Sequence, residues 1–96
     1  MQESVINQAN HWFMGTYAPF PIVIDHGKES ILWDKDGKEY IDFTSGIGVA
    51  SVGYGNEGLY NAITQQAKKL THISNLFYNE PAAKLAEKLC QMTKMR

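Results

Sequence analysis

Three glycines are the first candidates for chemistry in this 96-residue chain. Gly53, Gly55 and Gly58 have the G-x-G-x-x-G spacing of a dinucleotide-binding loop, in which a pyrophosphate rests on the N-terminus of the following helix. Glu80 lies near the position of a ribose-binding acid. However, the preceding stretch contains Gly48, the would-be second strand is polar, and a hairpin comes first. A dinucleotide-binding module is therefore kept only as an alternative.

Other reactive side chains show no arrangement typical of an active site. Three histidines are scattered without i, i+4 spacing and without a cysteine partner: His11, His26 and His72. Four carboxylates lie in the predicted hairpin, and strand alternation is expected to direct them to its tip and solvent-facing side: Asp34, Asp36, Glu39 and Asp42. Lys68 and Lys69 fall on a polar helix face, and Cys90 falls on an apolar one. The residues alone therefore predict no catalytic constellation and no metal site.

Composition excludes several classes of protein. Hydrophobic residues make up 44% of the chain and charged residues 20%, which is typical of a soluble globular protein. The net charge is −1 and Arg96 is the only arginine, so neither a nucleic acid nor an anionic membrane is an expected partner. No apolar run reaches the about 18 residues of a membrane span, and no secretory signal is evident. With a single cysteine, Cys90, these features favour the cytoplasm.

The periodicity of the sequence predicts an α+β arrangement within a single segment, residues 1–96. The expected elements are a helix over 1–15, a three-stranded antiparallel meander over 21–43, a glycine-rich loop over 44–58, and helices over 58–71 and 80–92. We expect residues 26–28 to form a turn. Asp36-Gly37 predicts a two-residue type I′ turn, whose two positions need positive φ. Pro81 predicts the start of the last helix, with Asn79 or Glu80 as N-cap.

Two apolar stretches have no partner in this arrangement. We expect the sheet and the apolar stripes of the helices to bury one another, which leaves residues 47–52 and 73–78 without cover. Apolar surface of that kind usually meets another domain or subunit. A small protein-interaction module is therefore a second alternative for this chain.

Four blocks of the sequence follow one another in the order and spacing of a known family. The blocks are residues 16–21, 32–43, 45–49, and 72–81 with the helix residues 84–89. Through them the chain, from the region of His11 onward, resembles the N-terminal part of the class-III pyridoxal-phosphate-dependent aminotransferases. The resemblance implies the N-terminal part of a fold-type I aminotransferase.

The resemblance also implies roles for individual residues. Tyr17 matches a tyrosine of the substrate pocket, and Gly46 would let the chain pass close to the cofactor. Ile47 stands where ornithine δ-aminotransferases tend to have tyrosine, which favours acetylornithine or a related ω-amine over free ornithine. Three residues match a stretch that reaches the neighbouring subunit: Ser74, Asn75 and Leu76. One departure is residues 53–57, where the family commonly has Gly-His-x-His-Pro.

The implied parent protein is an enzyme. It would be a cytoplasmic homodimer that moves an amino group from an ω-amino acid to 2-oxoglutarate with pyridoxal 5′-phosphate (PLP) as cofactor. The family's catalytic lysine, its aspartate facing the pyridine nitrogen and its phosphate-binding loop resemble nothing in this chain. The segment alone is therefore expected to be inactive and to require the remainder of the enzyme and a second subunit.

Overall fold

The computed structural model describes residues 1–95, which belong to two compact units. The first unit comprises Met1–Ala62 and the second begins at Ile63. The elements are α1 (Gln2–Trp12), β1 (Ile24–Lys28), β2 (Ile31–Asp34), β3 (Glu39–Ile41), α2 (Glu57–Lys69) and α3 (Glu80–Thr93). The predicted α+β class and the predicted order of the elements are confirmed.

The three strands form one antiparallel sheet in the order β1-β2-β3. Residues 26–28 belong to β1 and do not form the predicted turn. The turn lies at Glu29-Ser30, because Lys28 pairs with Ile31 and Glu29 takes a φ of 56°. The backbone N–H and C=O of Glu29 bond to Tyr54 at 2.8 and 2.9 Å. A contact this distant in sequence leaves no local signal, so local patterns place the turn at residues 26–28, too early in the chain.

The β2–β3 hairpin is confirmed, but its turn differs from the predicted one. The N–H of Gly37 donates to the carbonyl of Asp34 at 3.0 Å, and the N–H of Asp34 donates to the carbonyl of Lys38 at 3.0 Å. Gly37 has a φ of 86°, whereas Asp36 is not among the residues with positive φ. The loop therefore has three residues, a turn followed by a left-handed glycine, and is not the two-residue type I′ turn.

The helices begin and end at recognisable caps. The helix α1 ends at Trp12, before the predicted limit of residue 15, because Phe13 is extended. The side chain of Asn56 accepts a hydrogen bond from the N–H of Leu59 in the first turn of α2. Asn79 caps α3 and confirms one of the two predicted N-caps, since its side chain accepts from the N–H of Ala82 at 2.9 Å.

Among residues 1–95, no hydrophobic side chain is buried. The helices α2 and α3 contain no buried residue, so the predicted burial of their apolar stripes is wrong. The expectation that stretches 47–52 and 73–78 lack cover is confirmed, with Ile47 97% and Leu76 83% exposed. Within the same described range, no helix is long and apolar enough to cross a membrane.

Candidate functional site

The centre of the first unit's candidate site is the part of the predicted glycine-rich loop that precedes Tyr54, in which residues 45–52 form turns. The name glycine-rich loop is kept below for residues 44–53. Its residues 45–48 form one left-handed turn, with successive φ values of 50°, 60°, 63° and 88°. The N–H groups of Ile47 and Gly48 both donate to the carbonyl of Thr44, at 2.8 and 3.2 Å. A β-branched residue such as Ile47 is a genuine outlier at positive φ, and strain of this kind concentrates at functional sites. The turn leaves the Ile47 side chain almost completely exposed.

Asp42 holds the beginning of this loop. Its Oδ1 accepts hydrogen bonds from the N–H of Thr44 at 3.0 Å, the hydroxyl of Thr44 at 2.9 Å and the N–H of Ser45 at 3.1 Å. Its Oδ2 accepts from the hydroxyl of Tyr54 at 2.6 Å. The bond from Tyr54, followed by those from Thr44, lowers the pKa of the Asp42 carboxyl to about 2. The carboxylate is therefore ionised at neutral pH and fixes the loop in its charged form.

Tyr54 holds the end of the loop through three contacts. Its hydroxyl donates to Asp42, and this bond raises the pKa of the Tyr54 phenol. Its backbone forms the pair of hydrogen bonds with Glu29. Its ring lies so close to Gly27 that a Cβ there would be 2.9 Å from the ring carbon Cγ. The loop is thus anchored at both ends, and we call Asp42 and Tyr54 together the clasp.

The G-x-G-x-x-G motif of residues 53–58 has a structural role and does not form a dinucleotide-binding site. Gly53 has a φ of +78°, and a Cβ at this position would lie 2.9 Å from the carbonyl oxygen of Glu29. Gly55 has open space around it. Turns precede the motif where a βαβ unit needs a strand, and residues 72–79 contain no strand either. The dinucleotide interpretation is therefore wrong.

A second carboxylate, Asp34, organises the hairpin. It is 3% exposed, so its predicted place on the solvent side is wrong. Its side chain accepts from the hydroxyl of Tyr40 at 2.8 Å, from the N–H groups of Asp36 and Lys38 at 2.9 and 3.0 Å, and from the side chain of Gln2 at 3.3 Å. Burial alone would raise the pKa of the Asp34 carboxyl, but the hydrogen bonds from Lys38 and Tyr40 outweigh it and lower that pKa.

Tyr17 lies in the segment without helix or strand that follows α1 and is 86% exposed. It borders an open cavity of about 560 Å³ that also includes Trp12 and Phe13. No acidic or basic side chain lines this cavity. Its walls can therefore contact apolar groups of a ligand, while the Tyr17 hydroxyl can donate one hydrogen bond.

The second unit contains the other residues singled out from the sequence. Ser74 has a φ of 66°, and its hydroxyl accepts a hydrogen bond from the N–H of Leu76 at 3.2 Å. Ser74 and Asn75 border an open cavity of about 420 Å³, together with charged residues such as Lys69 and Glu80. Leu76 does not line this cavity and remains exposed.

The lysines of the described residues and the aspartates Asp34 and Asp42 do not fit the task of holding PLP. Every lysine within residues 1–95 is exposed, so none has the apolar pocket that lowers the pKa of a Schiff-base lysine. Asp34 and Asp42 already accept several hydrogen bonds from neighbouring groups, so neither is available to face a pyridine nitrogen. In the same part of the chain, no group of three or more His, Cys, Asp or Glu side chains could hold a metal ion.

The same arrangement of helices, meander and loop is found in solved aminotransferase structures. Acetylornithine aminotransferase from Elizabethkingia anophelis matches with a TM-score of 0.90 and 30% identity, over 95% of this chain and 24% of that one. Ornithine aminotransferase from Plasmodium yoelii matches with a TM-score of 0.93 and 28% identity, over 98% of this chain and 25% of that one. The fold is that of the N-terminal part of a PLP-dependent aminotransferase.

The sequence comparison defines the family. The family model "Aminotransferase class-III" matches residues 13–95, so the chain belongs to the class-III aminotransferases, as its sequence blocks predicted. Acetylornithine aminotransferase of Wolinella succinogenes is 52% identical over 82 residues, 85% of this chain and 21% of that protein. Succinylornithine transaminase of Salmonella typhimurium is 43% identical over 84 residues, 88% of this chain and 21% of that protein. The chain thus spans about a fifth of the length of these relatives.

Sequence reasoning missed the clasp, although part of its signal was present. Asp42 followed by Thr44 and Ser45 is the pattern of a carboxylate that bonds to backbone N–H groups two and three residues later. Nothing local links Asp42 to Tyr54, which lies in residues 53–57. The structure shows that this stretch has a defined geometry, because Tyr54 bonds to both Asp42 and Glu29.

Proposed function

We propose that this chain forms the N-terminal, substrate-side part of an acetylornithine-type aminotransferase. The parent enzyme would transfer an amino group from an ω-amino acid to 2-oxoglutarate. The observation that carries the proposal is the 52% identity with the Wolinella succinogenes acetylornithine aminotransferase, which extends over most of this chain. The structural similarity to the Elizabethkingia anophelis enzyme of the same name supports it independently of any single motif.

We assign Tyr17, Gly46 and Ile47 to the wall of the substrate pocket. Tyr17 would contribute its ring as an apolar surface and its hydroxyl as a single hydrogen-bond donor. Gly46, the second residue of the left-handed turn, would let the backbone approach the cofactor closely. Ile47 is exposed and offers no hydrogen bond to a free ammonium group, so it suits an acylated amine better than a charged one.

The chain alone is proposed to be inactive. PLP supplies the electron sink in transamination. The described residues do not fit the task of holding it, since their lysines are exposed and their two most strongly bonded carboxylates are already engaged. We therefore place the groups that anchor PLP in the part of the enzyme for which this chain has no counterpart.

The proposed partners are the remainder of the enzyme and a second subunit. Ser74, Asn75 and Leu76 are exposed and are proposed to contact that second subunit. Two apolar stretches without cover agree with a larger assembly. The cytoplasm is the proposed location, where the one cysteine of the described residues, Cys90, remains free.

A chimera tests the proposed function. The matching stretch of this chain replaces the corresponding fifth of the Wolinella succinogenes enzyme, and the purified protein is assayed with acetylornithine and 2-oxoglutarate. We expect the chimera to form glutamate and the 96-residue chain alone to form none. The proposal is overturned if the folded, PLP-loaded chimera is inactive with acetylornithine, or if the chain alone is active.

Substitutions in the chimera test the proposed pocket wall. Ile47→Tyr adds a hydroxyl where a free ammonium group would lie, so the ratio of kcat/KM for acetylornithine to that for ornithine should fall by about tenfold. Tyr17→Phe removes one donor and should lower kcat/KM for acetylornithine by about five- to tenfold. Val49→Tyr is the matched control for Ile47→Tyr, since Val49 is also exposed in the glycine-rich loop but has no assigned role. A ratio that is unchanged in Ile47→Tyr contradicts the assignment.

A further inference from the structure

The glycine-rich loop needs an external constraint to keep its shape. Ser45 and Ile47 both have positive φ, a conformation that is unfavourable for residues other than glycine because the Cβ comes too close to the following carbonyl oxygen. The backbone hydrogen bonds within the loop join only near neighbours, as from Ile47 and Gly48 to Thr44, and the Ile47 side chain is 97% exposed. Such local bonds do not fix the two ends of the loop relative to the sheet, so contacts outside the strained turn must hold them.

The clasp is that constraint. Asp42 accepts from Thr44 and Ser45 at the beginning of the loop, and its second oxygen accepts from Tyr54 directly after the end. One carboxylate thus joins both ends of the loop, and a hydrogen bond to a charged group is stronger than one between neutral groups. Tyr54 is itself fixed by its backbone bonds to Glu29, so the clasp connects the loop to the β1–β2 turn.

From this geometry we propose that Asp42 and Tyr54 are positioning residues for substrate discrimination. They do not touch the substrate. They hold the left-handed turn in the one geometry that presents Ile47 to the acylated end of the amine. This inference rests on the proposed function, because it assigns the selectivity of that pocket to a pair of residues behind its wall.

A matched pair of tyrosines allows a sharp test in the chimera. Tyr54 donates to Asp42 at 2.6 Å, and Tyr40 donates to Asp34 at 2.8 Å within the hairpin. Each Tyr→Phe substitution removes one hydroxyl that donates to an aspartate, but only Tyr54 bonds at the end of the loop. We expect Tyr54→Phe to lower the acetylornithine-to-ornithine ratio of kcat/KM by about five- to twentyfold, chiefly through KM. Tyr40→Phe should leave that ratio within twofold.

Conservative and double substitutions distinguish a positioning role of Asp42 and Tyr54 from a general loss of stability. Asp42→Asn keeps an oxygen that can accept from Tyr54 or from the loop N–H groups, so it should retain more selectivity than Asp42→Ala. In the double variant Asp42→Ala/Tyr54→Phe, the second change should add almost nothing, because the shared hydrogen bond is already lost. Additive effects of the two changes on the ratio would overturn the proposal.

Hydrogen exchange gives a readout that does not depend on activity. In Tyr54→Phe, the amides of Ile47 and Gly48 should exchange at least about tenfold faster, while the β2–β3 amides keep their rates. If the unaltered chimera is inactive, the proposed function fails, whatever the exchange shows. If the chimera is active but Tyr54→Phe and Tyr40→Phe give the same ratio and the same loop exchange, the positioning role alone fails.

Discussion

The two units of the chain are held by different kinds of polar contact. In the first unit, Gln2 bonds to Asp34 and Asp36, which are 32 and 34 residues away, and Tyr54 bonds to Asp42, 12 residues away. In the second unit, the side-chain hydrogen bonds of the described residues join positions no more than four apart, as between Asn79 and Ala82. A strained loop requires distant contacts to define it, whereas a capped helix is defined by its neighbours in sequence.

This difference shows where a site with fixed geometry can be built. The first unit contains an isoleucine in the left-handed region, and the contacts of Asp42 with its neighbours and with Tyr54 compensate for it. Among the described residues of the second unit, two residues other than glycine also have positive φ, Ser74 and Lys94, but each belongs to a local motif. Ser74 accepts a bond from Leu76, and Lys94 is the left-handed cap of α3. A substitution in the first unit should therefore change the stability of residues distant in sequence. A substitution in the second unit should change only the stability of its near neighbours.

The largest expected effect comes from breaking the contact between the loop and the β1–β2 turn. Gly53→Ala introduces a Cβ 2.9 Å from the carbonyl of Glu29 at a φ of +78°, so it should destabilise this region by about 2–3 kcal/mol. Gly55→Ala has a similar φ of +74° with open space around it, and should cost only about 1 kcal/mol. Hydrogen exchange at the amides of Glu29 and Tyr54 measures both, and equal effects would contradict the steric argument.

The second effect is a dependence on pH that belongs to the first unit. The pKa of Asp42 is lowered to about 2, so its ionised form stabilises the fold above the ordinary carboxyl pKa of 3.8. That contribution should be lost as the pH falls from about 4 towards 2. The measurement is loop exchange of the chain at pH 5, 3 and 2, after correction for intrinsic rates. In Asp42→Asn, the corrected exchange rates of the loop amides should change much less between pH 5 and pH 2. If they change as much as in the unaltered chain, a group other than Asp42 is responsible for the pH dependence.

The third effect tests whether helix α3 depends only on local contacts. Asn79→Ala removes the side chain that accepts from the N–H of Ala82, so α3 should lose about 1 kcal/mol of stability. Asn79→Ser keeps a capping oxygen and should lose only a few tenths of a kcal/mol. Circular dichroism of a peptide covering residues 77–95 measures the helix by itself. Asn79→Ala in the chain should leave the hydrogen-exchange rates of the amides in residues 24–54 unchanged. Faster exchange there would contradict the expectation that α3 depends only on local contacts.

The smallest effect concerns an exposed ion pair on α3. Lys84 lies 2.6 Å from Glu80 in an i, i+4 arrangement, with both side chains about 70% exposed. Lys84→Gln should cost only about 0.3–0.5 kcal/mol, and less at high salt. Lys88→Gln on the same helix is the control for the loss of one positive charge. A loss above about 1 kcal/mol would indicate a contact of Lys84 beyond its local partner.

Much of the fold was predictable because its signals are local. Asp36-Gly37 identified the β2–β3 hairpin, since glycine readily takes the left-handed conformation that Gly37 has at the end of the loop. Asn79 followed by Pro81 identified the start of α3, because a side-chain oxygen and a residue without N–H suit the first turn of a helix. The family blocks identified the class-III aminotransferases, and the family model confirmed them. The residue assignments at Tyr17 and Ile47 remain proposals until the chimera is measured.

What the sequence determined by itself was the type and order of the elements and the family, because helix caps, turn residues and motif blocks act over a few neighbouring positions. Only the tertiary structure decided that Glu29 forms the turn, that Asp34 is buried and that Asp42 joins both ends of the loop. Besides contacts with near neighbours, each of these outcomes includes a hydrogen bond to a residue farther along the chain: Tyr54 for Glu29 and Asp42, and Gln2 for Asp34. Whether two such groups meet is set by the path of the backbone between them, which no local pattern specifies.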